Sequence, residues 1–467
     1  MKLKGFLAID IGASGGKAFV GKYDGRKLSL EEVKRFPNNP VSLNGNTHWN
    51  IMSLHENILD GIRAASNRGL EIQSIGIDTW GVDYGLLDES GFLLGNPMHY
   101  RDMFEDDSME YALEKAGAEW LFERSPTQFQ PFNTLFQLIS MKRRKYRALD
   151  VAKTLLPVPS LLSYFLSGEK STEFTFATTT QMFDPAINDW CKEIIELFDL
   201  PDITTPIVEA GTVIGSLLPS ISRDLASDMK VILPATHDTG SAVAAIPFSE
   251  ETMFISTGTW CLEGVLLDRP ARSKDVLRFN LANEGCYGGK YRLLKNVTGL
   301  WLVQELLREW LRDDPTLDYS RLTEMAREAK PSQGLIDIES PLFKKPASME
   351  SAIIEESGRH GKVPKTRGEI VRTAIEGIAV RTKQTLSELE QVTGKKIRRI
   401  HMVGGGVRNT LLCQLIADYT GLQVIAGPVE GTATGNIIVQ MLALGELRDT
   451  NESAELIERS FEMVEYW

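Results

Sequence analysis

The strongest constraint on the fold is a glycine-rich loop set between two strands. Phe6-Leu7-Ala8-Ile9-Asp10-Ile11 is a short apolar run that reads as a strand. Gly12-Ala13-Ser14-Gly15-Gly16 follows as a loop, Lys17 to Tyr23 reads as a second strand, and Asp24-Gly25 is a turn signal. The common glycine-rich phosphate loops lead into a helix, and this one does not. A P-loop needs four residues between its first glycine and a Gly-Lys pair. The count from Gly12 fails, Ala18 stands where Ser or Thr is required, and the GxGxxG fingerprint is also missing. Any phosphate held here must be held at the tip of a hairpin. The other half of the chain repeats the pattern, with Met253-Phe254-Ile255 as a strand, Ser256-Thr257-Gly258-Thr259 as a small polar tip, and Trp260 to Leu266 as the return strand. Two such tips facing one cleft would grip a phosphate chain from both sides; two unrelated hairpins fit the pattern equally well.

Further strands are expected at Gln73–Thr79, Lys230–Leu233, Ile397–Val403 and Leu422–Ile425. Helices are expected at Glu369–Val392, stopped by Gly394, and at Leu300–Leu311. Residues 105–200 read as mostly helical and look like an insertion. Strands alternating with helices indicate α/β architecture. A chain of 467 residues exceeds what one hydrophobic core usually supports, so two lobes are expected, 1–245 and 246–467, with the boundary near Pro247.

Several functions are disfavoured. The net charge of −12 repels polyanions, which argues against broad nucleic-acid binding. The first apolar run is too short for a signal peptide or a membrane span, and Asp10 interrupts it. The four cysteines form no CxxC pair, so a reducing compartment, the cytoplasm, is expected. With six histidines and no HExxH or Cys-His cluster, a zinc enzyme is disfavoured, and the lack of a GxSxG elbow disfavours an ordinary serine hydrolase.

The residues that could carry chemistry cluster at strand ends. Asp10 closes the first strand beside the glycine loop, where a carboxylate can hold Mg²⁺ through water or cap the loop's amides. In Thr236-His237-Asp238-Thr239-Gly240-Ser241-Ala242, Asp238 lies between a buried strand and a helix of small residues. Phosphoryl transfer to a hydroxyl needs a carboxylate to aim the oxygen and accept its proton, although capping the helix is the simpler role. In Asp78-Thr79-Trp80-Gly81-Val82-Asp83, Trp80 could lay its face on a sugar and Asp83 could accept sugar hydroxyls; a core Trp beside a turn Asp is the plain alternative. Gly404-Gly405-Gly406 would let a flat ring such as adenine approach the backbone, or make an ordinary tight turn.

Taken in order, these segments resemble the FGGY carbohydrate kinases, and within that family the L-rhamnulose kinases. The stretches that carry the likeness are Asp10–Ser14, Ile77–Asp83, Pro131-Phe132-Asn133-Thr134-Leu135, Ser256–Trp260, Leu294-Lys295-Asn296 with Gly299-Leu300-Trp301, Val403–Asn409 and Glu430–Asn436. The resemblance implies a two-lobed actin-like ATPase (ribonuclease H-like) fold closing on ATP, Mg²⁺ and a ketose. It implies phosphate contacts from Ala13, Ser14, Gly15, Gly16, Lys17 and Thr259, and a nucleotide site lined by Gln304 and Gly405. Sugar contacts would come from Gly81, His237, Thr239 and Asn296, with Trp80 and Asp83 nearby, and Asp238 would be the base. The implied reaction converts L-rhamnulose to L-rhamnulose 1-phosphate in a monomer or homodimer; L-fuculose or L-xylulose kinases, and an actin-fold chaperone or sugar-sensing regulator, are the other readings. Lys17 stands where these kinases often carry Arg, and Met103-Phe104-Glu105 follows Tyr100-Arg101-Asp102 where the family usually continues Ser-Arg-Thr.

Overall fold

The computed structural model describes residues 3–225, 227–332, 335–344, 346–361 and 363–467. Two compact units emerge. Unit 1 comprises Met1–Pro247, Leu267–Leu293 and Gly431–Phe461, and unit 2 comprises Phe248–Leu266, Leu294–Glu430 and Glu462–Trp467.

Unit 1 is built on a six-stranded sheet. Its strands are β1 (Lys4–Gly12), β2 (Gly15–Tyr23), β3 (Leu28–Pro37), β4 (Ile72–Thr79), β5 (Thr212–Ser216) and β6 (Lys230–Leu233), in the order β5-β6-β4-β1-β2-β3. β1, β4 and β6 run parallel, whereas β2, β3 and β5 pair antiparallel with their neighbours. The parallel strands are almost wholly buried, which explains why they read as continuous apolar runs rather than alternating ones. The glycine loop is tighter than the sequence suggested. Gly15 and Gly16 already belong to β2, leaving Ala13-Ser14 as a two-residue turn with Gly12 opposite Gly15. Gly16 has no room for a side chain, because a Cβ there would lie 2.3 Å from the Phe36 ring.

Two discontinuous segments complete this unit. The helix Gly431–Ala443 packs on β1, β4 and the helix Asp238–Ala244. Contact between the two helices is backbone to backbone, since a Cβ on Gly435 would fall 1.8 Å from the Ser241 carbonyl oxygen. Residues 105–200 form helices, including Ser108–Ala116, Thr134–Arg143 and Val158–Ser167, interspersed with short strand pairs.

Unit 2 repeats the plan. Its strands β7 (Thr252–Thr257), β8 (Trp260–Leu267), β9 (Tyr291–Thr298), β10 (Arg399–Val403), β11 (Gln423–Ala426) and β12 (Val464–Tyr466) follow the order β9-β8-β7-β10-β11-β12, although Leu267 at the end of β8 and Tyr291–Leu293 at the start of β9 fall in unit 1. β7, β10 and β11 are parallel, β7 and β8 form the antiparallel hairpin, and β12 closes the edge antiparallel to β11. Each sheet thus has an antiparallel hairpin, two further parallel strands and an antiparallel edge strand. The two hairpins recognised in the sequence are equivalent parts of an internal repeat. The long helix Arg367–Thr393 starts with a full capping box, Thr366 with Glu369, and ends at Gly394 in the left-handed conformation, as the Gly394 stop signal indicated. Among the described residues no helix is long and apolar enough to cross a membrane.

Candidate active site

The carboxyl ends of parallel strands are where open α/β sheets expose ligand-binding groups, and in unit 1 three acids meet there. β1 and β4 pair in a register that sets Asp10 opposite Asp78. Beyond the end of β4, Thr79 bridges to His237 and its amide donates to the Thr236 carbonyl at 2.9 Å, which draws the segment after β6 alongside. Asp238 begins the next helix.

The three acids differ in exposure. Asp10 is half-buried and Asp78 is fully buried, whereas the Asp238 side chain keeps 31% of its surface open. Burial above all, then the neighbouring charges of Asp10 and Asp238, hold the Asp78 carboxyl well above the usual carboxylate range. Asn436 Nδ2 donates to Asp78 Oδ2, Gln440 Nε2 donates to Asn436 Oδ1 at 2.7 Å, and Ser74 Oγ donates to Gln440 Oε1 at 2.6 Å. This chain of amides fixes Asp78 from behind. It requires Gly76, where a Cβ would lie 2.5 Å from Asn436 Oδ1. Asp78 closes the strand in the sequence, but its role was not legible there, because its partners lie more than three hundred residues away.

Asp238 is positioned by its own turn. The Thr239 amide donates to Asp238 Oδ1 at 2.6 Å and Thr239 Oγ1 approaches the same oxygen at 3.2 Å. Thr239 is itself buried, so its expected sugar contact competes with this internal one. The preceding residues are held by Glu173, whose carboxylate accepts from the Thr236 amide at 2.9 Å and the Thr236 hydroxyl at 2.8 Å. Thr175 Oγ1 in turn accepts from the His237 amide at 3.2 Å. Nothing in the local sequence flags Glu173; it reads as an ordinary charge among threonines.

The Trp80-Gly81-Val82-Asp83 segment is a strained turn. Val82 has φ +66°, a conformation that β-branched residues rarely adopt. Thr134 Oγ1 donates to the Val82 carbonyl at 2.6 Å and Gln137 Nε2 donates to Asp83 Oδ1 at 2.9 Å, which assigns a task to the Phe132–Leu135 segment. Asp83 is fully buried. Its Oδ2 accepts from Trp49 Nε1 at 2.6 Å, Trp80 Nε1 at 2.9 Å and the Tyr100 amide at 3.3 Å. Burial pushes this carboxyl up to about 7, against donors from Trp49, Gln137, Trp80 and Tyr100 that all favour its charged form. Trp80 is buried too, and its ring packs against Trp49 with centroids 4.0 Å apart. Gly81 faces His237, since a Cβ there would stand 3.3 Å from His237 Nε2.

At the first hairpin tip, Asn38 is the clasp. Its Nδ2 donates to the Gly12 carbonyl at 3.0 Å and its amide to the Ser14 carbonyl at 3.4 Å. Ser14 is exposed, and Lys17 stands opposite Asp10 in the hairpin register. Met103 packs in the same buried apolar cluster as Trp80 and Val82. Met103 lines a cavity of about 570 Å³ with His99, Asp102 and Gln137, and none of the expected sugar residues lines it.

The nucleotide candidates in unit 2 also converge. The Thr259 carbonyl accepts from the Gly299 and Trp301 amides at 3.2 and 3.1 Å, docking the helix Trp301–Trp310 on the β7–β8 tip. Thr259 Oγ1 then meets Gln304 Oε1 at 3.1 Å. Gly404 and Gly406 press on Thr257, where Cβ atoms would come within 2.7 and 2.5 Å, while Gly405 between them faces open space. Asn296 lies half-buried on β9.

Residues 6–245 match the N-terminal domain of the FGGY family of carbohydrate kinases, and residues 253–444 match its C-terminal domain. The chain belongs to that family. It is therefore an ATP-dependent sugar phosphotransferase with an actin-like ATPase fold, as the resemblance implied. Among its relatives are the rhamnulokinase of Oceanobacillus iheyensis, 37% identical across 98% of this chain and 97% of the relative, and that of Bacteroides thetaiotaomicron, 37% identical across 99% and 95%. Among solved structures, gluconate kinase from Lactobacillus acidophilus superposes with a TM-score of 0.81 at 17% identity, covering 100% of this chain and 94% of the other. Plasmodium falciparum glycerol kinase with ADP gives 0.79 at 16%, with the same coverage.

Proposed function

We propose that this FGGY kinase phosphorylates the 1-hydroxyl of L-rhamnulose, with Asp238 as the general base. The observation that carries the reading is the contrast among the three strand-end acids. Asp78 is sealed in, whereas Asp10 and Asp238 are both half-buried, and Asp238 heads a helix with 31% of its side-chain surface exposed. The Thr239 amide engages Oδ1 of Asp238, which leaves Oδ2 for the sugar hydroxyl. In a loose transition state the hydroxyl proton moves late, so the carboxylate serves mainly to aim the oxygen and then to take its proton. His237 and Gly81 face one another and would frame the sugar beside this base. Trp80 and Asp83 would support the turn from behind, because the oxygens of Asp83 already accept protein donors.

Ala13 to Lys17 and Thr259 are assigned to the phosphates, and Gln304 and Gly405 to the rest of the nucleotide; the open face of Gly405 suits a flat ring. Asp10 is a half-buried carboxylate at the end of β1 beside the first hairpin tip, close enough to Asp78 for their charges to interact. Hard oxygen donors fit Mg²⁺, and Asp10 would hold it through water. Bound there with the nucleotide, Mg²⁺ would supply charge neutralisation at the phosphates. The cysteines, all free and buried, favour a reducing compartment such as the cytoplasm.

The relatives' name supports L-rhamnulose over other ketoses. A coupled ADP-release assay across L-rhamnulose, L-fuculose and L-xylulose, with the product's phosphate position read by phosphorus NMR, tests this. L-Rhamnulose should give the highest kcat/KM and a 1-phosphate; a clear preference for another ketose would displace it.

A further inference from the structure

His237 is held by a buried pair that no local sequence signal connects with it. Glu284, on the strand Ala282–Gly285, and Arg292, on β9, both belong to unit 1. Arg292 is fully buried, and its Nε donates to the Gly285 carbonyl at 2.8 Å, which fixes the guanidinium plane. Arg292 Nη2 lies 3.2 Å from His237 Nδ1 in hydrogen-bonding geometry and 3.1 Å from Glu284 Oε2. Glu284 Oε2 is also 3.2 Å from His237 Nδ1, yet it completes no aligned hydrogen bond among the described residues; it acts as the counter-charge to Arg292.

Arginine only donates. A hydrogen bond from Nη2 to Nδ1 therefore requires a lone pair on Nδ1, which puts the proton of a neutral ring on Nε2. Nε2 is the nitrogen that faces Gly81 and stands 3.5 Å from Asp238 Oδ1. We propose that Arg292, neutralised by Glu284, is a positioning residue that fixes His237 as its Nε2–H tautomer, so that the ring donates a hydrogen bond to a lone pair on the sugar next to the hydroxyl aimed by Asp238. The inference rests on the placement of His237 at the sugar. It adds a division of labour: the aspartate accepts from one sugar oxygen, and the neighbouring histidine donates to another. A ring with the opposite tautomer would present a lone pair towards the Asp238 carboxylate, and the two would repel each other and compete for the same hydroxyl proton.

The test is long-range proton–nitrogen NMR on the uniformly ¹⁵N-labelled full chain, with the His237 signals assigned by their loss in His237→Asn. Near neutral pH, Nδ1 should resonate as a pyridine-type nitrogen and Nε2 as a pyrrole-type one. L-Rhamnulose should shift the Nε2 signal. Arg292→Met should move the proton to Nδ1 and raise KM for the sugar about tenfold or more, the scale of one lost buried hydrogen bond, while KM for ATP stays within about twofold. A purely structural role would move neither the tautomer nor this split in KM. An Nδ1–H or doubly protonated ring in the unaltered protein would overturn the assignment to Arg292, whether or not the variant folds, and would leave His237 at the sugar. A ketose turned over without moving the Nε2 signal would overturn the donation, and with it the placement of His237.

Discussion

At the scale of single residues, Asp78 and Asp238 leave adjacent parallel strands and meet opposite environments. Asp78 is buried, and a raised pKa sets the sign of its effect on stability. Above about pH 4 the unfolded chain releases a proton that the folded chain retains, so stability falls as pH rises towards the raised folded value. Asp78→Asn keeps an acceptor for Asn436 and removes the ionisation. Its stability relative to the parent should therefore increase from pH 4 to pH 8 in urea unfolding; parallel curves would show that Asp78 is charged in the folded chain. The place of Asp238 at a strand-to-helix turn was legible from the sequence because its signal is local, a buried strand followed by small residues. Glu173, Thr134, Glu284 and Arg292 were not, because each acts through a partner more than forty residues away. Trp80 and Asp83 were legible as a special turn, but their burial was not: an indole and a carboxylate look alike in sequence whether they face a sugar or each other.

At the scale of elements, hairpins and helix ends followed closely from local rules. β6 spans the residues expected, and the capping box and Gly394 bound the long helix. The glycine loop shrank because Gly15 and Gly16 continue the ladder to β3, pairing with Pro37 and Phe36. Spacing said nothing of the helix Gly431–Ala443 joining unit 1, because that follows from surface fit: Gly435 lets it touch the backbone of the helix that Asp238 heads. Gly435→Ala should thus destabilise the protein by about 3 kcal/mol or more, and displace Asp238 enough to lower kcat in the fraction that folds. A substitution tolerated within about 0.5 kcal/mol would mean that the helices are not in contact there.

At the scale of the whole molecule, the two sheets share one plan, and the family match spans both halves of the chain. Each half offers a hairpin tip dressed with small polar residues, Ala13-Ser14 in one and Gly258-Thr259 in the other. A net charge of −12 repels polyanions over most of the surface, and we assign a nucleotide's phosphates to these tips, where backbone amides are on offer. Binding and chemistry should then separate by mutation, because the residues assigned to the nucleotide do not include the base. The most direct test is steady-state turnover of Asp238→Asn on L-rhamnulose beside its affinity for ATP measured by calorimetry. Turnover should fall by about a hundred- to ten-thousandfold, with ATP affinity preserved; a variant that still turns over at near the parent rate would contradict the assignment of the base.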